Sequence, residues 1–355
     1  DSLERVWSAD AGTGGGDDRK LLTQPVVADG VVYTMDAGSG VRAFRAGDGE
    51  RLWRRDVTPE SEGADQFGGG LAVAGDRLFV TTAYAQVVAL DREDGSVLWK
   101  QNVSGPVRAA PTVHKGRVVA VTIANHTHVL SAEDGSEVWD HRGVAEGAAM
   151  LGAAAPAAAG DVVLAPYTNG ALVALRAGSG TQLWSDVLAG VRRSGSVSSI
   201  NDISGRPVID EGRVIAATNS GLTVGIDLRT GSRVWEKEIG TTANPWVAGD
   251  YVYSITNRAE VVCLDEKTGR VLWVTRLPRW EDPEDRDGRI VWSGPVLAGD
   301  RLVVAGSHGT AFTLSPYDGR MLGREPLPEG VLVGPVVADG TLYFQTNGAD
   351  LVAYR

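Results

Sequence analysis

Cysteine is almost missing: Cys263 stands alone among 355 residues, so no intrachain disulfide can staple the fold. It occupies a repeat position where alanine is usual, and therefore reads as a buried structural thiol. Positive charge is also short, with 34 Lys and Arg against 45 Asp and Glu and a net charge of −11. That balance argues against nucleic acid or an anionic membrane surface as the main partner, because both would repel the chain at long range. No apolar run is long enough to span a bilayer, and the alanine-rich stretch 147–160 is short and interrupted by Pro156. The chain opens inside a strand motif, with no signal peptide, so any targeting segment is expected upstream of Asp1.

Motifs that carry chemistry are equally scarce. The run Gly12–Gly16 lacks the G-x-G-x-x-G spacing and reads as a loop. Between Pro278 and Gly288, two arginines and five carboxylates surround Trp280. They lack the EF-hand spacing, which leaves a solvated loop pinned by Trp280. His126 and His128 lie on one side of a possible strand, the geometry of a two-ligand metal site, yet no third ligand stands nearby in sequence. No nucleophile, base and orienting group occur together in any motif. The sequence thus assigns no catalytic, cofactor-binding or metal-ligating residue.

What is present is a repeat. Gly49, Gly95, Gly135, Gly180, Gly231, Gly269 and Gly319 mark seven copies of one unit. In six of them a tryptophan follows four residues later: Trp53, Trp99, Trp139, Trp184, Trp235 and Trp273. Five residues before each glycine stands a large apolar residue (Phe44, Leu90, Leu130, Leu175, Ile226, Leu264, Leu314), preceded by a small or modest one. Neighbours in a strand face opposite ways, so the two columns describe a sheet packed on both sides. The glycine supplies the positive φ of a hairpin turn. The tryptophan falls in the next strand, where a wide ring can cover the seam with an adjacent sheet. Gly323 takes that place in the seventh copy, so one seam is expected to be less well filled. An eighth copy is split between the ends: Leu351–Arg355 reproduces the first strand, and Glu4-Arg-Val-Trp7 reproduces Glu50-Arg-Leu-Trp53.

Successive tryptophan positions are 46, 46, 40, 45, 51, 38 and 50 residues apart. Periods of this length with four strands each are the mark of propeller blades. The expectation is an all-β, eight-bladed β-propeller of four-stranded antiparallel blades, one domain over residues 1–355, whose last blade is closed by the N-terminal strand. Trp7 and the six tryptophans named above would dock each blade on the next. In such a meander one face carries uniformly short turns, and the other carries all the long connections, 58–68, 141–152, 190–205 and 278–291. Variable loops on a rigid scaffold are where partners bind, so function is expected on this second face. The connection 191–205 is the most informative: Ile200, flanked by Asn201 and Asp202, reads as an apolar anchor in an interaction patch. Ile200 and Ile203 would be costly to leave exposed in a mere linker.

Asp227-Leu-Arg-Thr-Gly-Ser-Arg-Val-Trp235 and Asp265-Glu-Lys-Thr-Gly-Arg-Val-Leu-Trp273 resemble the repeat of the pyrroloquinoline quinone (PQQ)-type propellers, and the likeness extends over nearly the whole chain. One branch of that superfamily holds quinone-dependent dehydrogenases, many of which clasp the cofactor under a vicinal disulfide that Cys263 alone cannot form. The chain also lacks their long inserts and a Cys-x-x-Cys-His haem motif. Ile200-Asn-Asp-Ile-Ser-Gly-Arg-Pro-Val208 is more similar to the BamB family of outer-membrane assembly lipoproteins, which are not enzymes and need no cofactor.

In that family two neighbouring loops dock onto the POTRA domains of the barrel-inserting subunit BamA. The resemblance implies that role for Ile200, Asn201, Asp202 and Arg206, with Met150 and Leu151 in the first loop. Family members carry an arginine where Leu151 stands, so either that contact is absent here or Arg192 and Arg193 replace its charge. It further implies a monomer within a complex at the periplasmic face of the outer membrane of a Gram-negative bacterium. Lipid anchoring of the precursor and pairing of outer strand edges with unfolded outer-membrane proteins belong to the same expectation. Two alternatives stay open: a quinone-dependent dehydrogenase, and an extracytoplasmic sensor or interaction domain.

Overall fold

The computed structural model describes residues 3–16, 20–60, 68–144, 154–188, 203, 205–241 and 243–355. Among them the chain forms eight four-stranded antiparallel sheets and one small hairpin, with no helix. Blade 1 comprises Val26–Ala28, Val31–Met35, Gly40–Arg45 and Arg51–Asp56, in that order from the ring axis outward. The later blades repeat the plan. The innermost strands touch in sequence from blade 1 to blade 8 and back to blade 1. The architecture is an eight-bladed β-propeller.

Closure comes from the two ends of the chain. Arg5–Asp10 pairs antiparallel with Asp350–Tyr354 as the outer strand of blade 8. A mutual pair of backbone hydrogen bonds joins Glu4 and Arg355 at 2.7 and 2.9 Å. Just inside the closure, Asp36 and Arg42 form an ion pair at 2.6 Å with side chains only 3% and 6% exposed. Such a pair survives burial only when its remaining polar atoms are satisfied. Asp36 accepts from the amides of Thr13, Gly38 and Gly40, and Arg42 donates to the carbonyl of Ala11 at 2.8 Å. The glycine run is a packing device here: a Cβ on Gly12 would stand 2.1 Å from both partners of the ion pair.

Seven seams share one joint. The indole Nε1–H of Trp235 donates to the carbonyl of Glu266 at 2.8 Å, and its ring lies over Gly269 of the following blade. Trp7, Trp53, Trp99, Trp139, Trp184 and Trp273 do the same to Ala46, Arg92, Ala132, Ala177, Leu228 and Pro316, over the corresponding turn glycines. The glycine column therefore answers two demands at once, a positive φ near 70° and room for an indole face.

Each outer strand also carries a bulge, placing one extra residue just before the tryptophan position, at Leu52 in blade 1 and Val6 in blade 8. The bulge twists the strand and re-aims the indole across the seam. The bulged residues Val6, Leu52, Leu98, Val138, Leu183, Val234, Leu272 and Leu322 are 38–50% exposed. They interrupt an edge that would otherwise be a continuous template for another strand.

The seam between blades 7 and 8, which lacks a tryptophan, is not left poorly filled. Phe344 and Tyr354 meet edge to face at 5.6 Å within a buried cluster containing Val303, Ala311, Leu327 and Val331, with Leu3 against it. The Tyr354 hydroxyl reaches the carbonyl of Pro326 at 3.4 Å. Larger residues on the second and third strands of blade 8 thus fill this seam without an indole. The acidic stretch after Pro278 differs from the loop expected of it, since Trp280–Asp282 and Asp287–Arg289 form a two-stranded hairpin. Asp282 caps its turn through the amides of Glu284 and Asp285. At its base Trp292 donates to the carbonyl of Pro278 at 2.8 Å and packs into the core between blades 6 and 7.

Candidate functional site

The meander places every connection from an outer strand to the next blade on the same face as the turns between second and third strands. The two segments expected to dock a partner both leave from this face. Met150, Leu151, Arg192, Arg193, Ile200, Asn201 and Asp202 lie outside the described residues; their flanks do not.

Ala154, at the end of the first segment, and Leu188 and Ile203, which bracket the second, are 5%, 0% and 1% exposed. All three enter one cluster with Leu164, Leu172, Leu222 and Val224 of blades 4 and 5. The end of the first segment and both ends of the second are therefore held in a common apolar core. Ile203 is a core residue, so the cost of leaving it exposed gives no argument for an interaction patch; Ile200 has to carry that argument alone.

Arg206 stands two residues before the inner strand of blade 5, Val208–Asp210. Its amide donates to the Asn244 Oδ1 at 2.7 Å, linking the mouths of blades 5 and 6. Its side chain is exposed, and the protein around its base lowers the guanidinium pKa from its ordinary value by partial desolvation. On the same face, a cavity of about 400 Å³ opens between the turns Thr218–Gly221 and Thr256–Ala259. Its lining includes Ser220, Glu238, Asn257 and Arg258, and the Asn257 amide spans the two blades to the Asn219 carbonyl at 2.6 Å. Sequence reading singled out neither turn, because each is unremarkable until the ring sets them side by side.

The same face is stiffened between blades 3 and 4 by Asn125, which is fully buried. Its Oδ1 accepts from the amide and hydroxyl of Thr168 at 2.9 and 3.0 Å, and its Nδ2 donates to the carbonyl of Val144 at 2.7 Å. His126 and His128 are also buried on blade 3, at 6% and 5% exposed, and both meet the hydroxyl of Ser104 on the link from blade 2. Cys263 is 1% exposed, and burial pushes its thiol pKa up to about 12, so it offers no reactive thiolate.

A family model described as outer membrane protein assembly factor BamB matches residues 4–65 and 37–275, well over half of the chain. The outer membrane protein assembly factor BamB of Salmonella typhimurium strain LT2 is 29% identical over 353 residues, covering 98% of this chain and 88% of that protein. The crystal structure of BamB from Moraxella catarrhalis superposes with a TM-score of 0.83 at 20% identity, over 100% of both chains. The quinohemoprotein alcohol dehydrogenase from Comamonas testosteroni shares the propeller with a TM-score of 0.72 at 15% identity, over 99% of this chain and 76% of its own. Fold alone is thus common to an assembly factor and an enzyme, whereas the matching family and the relative in Salmonella are those of an assembly factor and not of an enzyme. On that match, carried by the repeat columns and the whole-length alignment, the chain belongs to the outer membrane protein assembly factor BamB family.

Proposed function

We propose that this protein serves without catalysis as a scaffold subunit of the outer-membrane β-barrel assembly machinery. In this reading the segments after blade 4 and before its inner strand, with Met150, Leu151, Ile200, Asn201 and Asp202, dock the POTRA domains of a BamA-like subunit. Ile200 supplies an apolar anchor, Asp202 fixes the register through hydrogen bonds or a salt bridge, and Arg192, Arg193 and Arg206 supply positive charge on an otherwise acidic chain. The observation that carries the reading is the shared core of Ala154, Leu188 and Ile203, which sets the end of the first segment beside both ends of the second. A rigid base spares a docking loop part of its ordering entropy.

The expected setting is the periplasmic face of the outer membrane, with the precursor held there by a lipid anchor. Extended outer-membrane-protein segments are a second class of partner. They would pair beyond the bulges, along stretches such as Trp53–Asp56, where the outer strand's edge is regular again.

The test is a calorimetric titration with the POTRA fragment of the BamA-like protein from the same organism, repeated with Ile200→Ala/Asp202→Ala. Saturable binding that disappears in the double variant supports both the role and the face. An absence of binding by the folded wild-type protein at modest salt removes the reading. The dehydrogenase alternative is tested by adding PQQ and calcium, where an absorbing, saturable complex would favour it.

A further inference from the structure

No motif in the sequence holds a nucleophile, a base and an orienting group, yet folding brings such a set together. It lies where the link from blade 2 meets the third and fourth strands of blade 3. The Ser104 Oγ stands 2.6 Å from His126 Nδ1, and His126 Nε2 stands 2.7 Å from Asp140 Oδ2. Ser104 is open to solvent, whereas the imidazole behind it is buried. A second row runs alongside: the Ser104 amide donates to His128 Nε2 at 3.2 Å, and His128 Nδ1 meets Glu137 Oε2 at 2.7 Å.

The partners fix the protons. A carboxylate only accepts, so Asp140 takes the N–H of His126 Nε2 and Glu137 that of His128 Nδ1, which leaves the near nitrogens as acceptors. The Ser104 Oγ also lies 2.8 Å from His128 Nε2, but the amide already serves that nitrogen. The hydroxyl proton is therefore left for His126. The two rows divide the work: His128, held by Glu137, fixes the backbone of the link, and His126, oriented by Asp140, receives the hydroxyl. A hydroxyl about 2.6–3.2 Å from a base that a third group orients is the arrangement that activates a serine nucleophile. The amide of Gly105, the residue after that hydroxyl, donates to no acceptor among the described residues. It is unspent as a donor to an oxygen that gains charge next to Ser104.

We propose that Ser104 is a nucleophile that accepts an acyl group from an activated ester, a covalent modification site separate from the docking segments. Its Oγ bonds to the carbonyl carbon of the ester while His126 Nδ1 takes the hydroxyl proton. The bond from that carbon to the alcohol oxygen breaks, and His126 returns the proton to the departing alcohol. Asp140 stabilises the imidazolium in between. The products are an ester on Ser104 and a free alcohol. With no hydrogen left on Oγ, the acylated link keeps its amide bond to His128 and loses its hydroxyl bond to His126, so modification loosens the hold of blade 3 on the link from blade 2.

The test uses a fluorophosphonate probe, which phosphonylates activated serine hydroxyls with loss of fluoride, and 4-nitrophenyl acetate as the acyl donor. Peptide mass spectrometry assigns the sites. Ser179 is the internal reference, an exposed serine whose hydroxyl meets Thr181 and no imidazole. Ser104 is expected to react about 100- to 10,000-fold faster than Ser179, the range a positioned base contributes. His126→Gln should erase most of that advantage. Asp140→Asn, at a side chain 42% exposed, keeps the imidazole in the core and should reduce the rate with the circular dichroism spectrum unchanged. Equal reaction of Ser104 and Ser179 in the folded wild-type protein, or an undiminished Ser104 rate in both variants, overturns the proposal and leaves a hydrogen-bonded latch.

Discussion

The joint between blades predicts a large difference between two glycines of the same blade. In blade 6, Gly269 has φ +66° and lies under Trp235, so that an added Cβ would stand 2.5 Å from ring atoms Cδ2 and Cε3. Gly249 has φ +56°, and nothing approaches its Cβ position within 4 Å. Alanine in the left-handed region costs about 1–2 kcal/mol at either site. Only Gly269→Ala adds overpacking against a fixed indole, a further ~1–3 kcal/mol. Gly269→Ala should therefore destabilise by about 2–5 kcal/mol and Gly249→Ala by about 1–2 kcal/mol.

Urea denaturation followed by far-ultraviolet circular dichroism reads the difference without depending on the tryptophan signal. A cycle completes the experiment. Trp235→Ala alone should cost ~3–5 kcal/mol as a large buried ring is lost, and in its background Gly269→Ala should cost no more than Gly249→Ala. Equal costs for the two glycines to within about 0.5 kcal/mol, or an undiminished cost of Gly269→Ala once Trp235 is gone, would refute the account of the column.

Two further outcomes follow from buried polar groups. Asp36→Ala leaves the Arg42 guanidinium buried and uncompensated, which is expected to cost about 3–5 kcal/mol. It should also speed hydrogen exchange at the Ala11 amide, which is bonded to the Ala349 carbonyl across the closure; unchanged exchange there would break the link between the ion pair and ring closure. His308 lies edge-on to Trp292 at 5.2 Å, and burial lowers its pKa below 6.5, against the weaker opposing pull of Glu281. The unfolded chain then binds the proton more readily, so stability is fully present above about pH 6.5 and falls as the pH drops below it. His308→Gln should flatten the decline between pH 7 and 5 in a thermal-melt series, and an unchanged slope would count against it.

The parts of the fold legible in the sequence are those set by one residue and its strand neighbours. A turn glycine, an apolar residue five before it and an indole four after it are each local, and together they define eight blades because the pattern repeats. Ile203 looked like a surface residue because it sits in a polar stretch, yet Leu188 and Ala154, which bury it, lie 15 and 49 residues away in sequence. The pair His126 and His128 was visible as strand alternation, whereas Ser104 and the two carboxylates were not, since they reach the rings across a blade seam and a neighbouring strand. The hairpin after Pro278 escaped because its acidic composition masked the short pairing of Trp280 with Arg289. Glutamate and aspartate rarely favour strands, and here Trp292 and Ile290 at the base hold the hairpin instead.

The pairing of the two chain ends has a consequence for how force passes through the ring. Blade 8 lies diametrically across from blade 4, and its outer strand begins at Arg5 on the short-turn face. Any extension on the N-terminal side leaves there, while the stems at Leu188 and Ile203 rise from the other face on the opposite side. Tension between such an extension and a load at those stems would cross the full diameter and thickness of the disc. It would first be borne by the Glu4–Arg355 pair and then by the antiparallel bonds from Arg5 to Asp10, so the strand that closes the ring would also be its mechanical fuse.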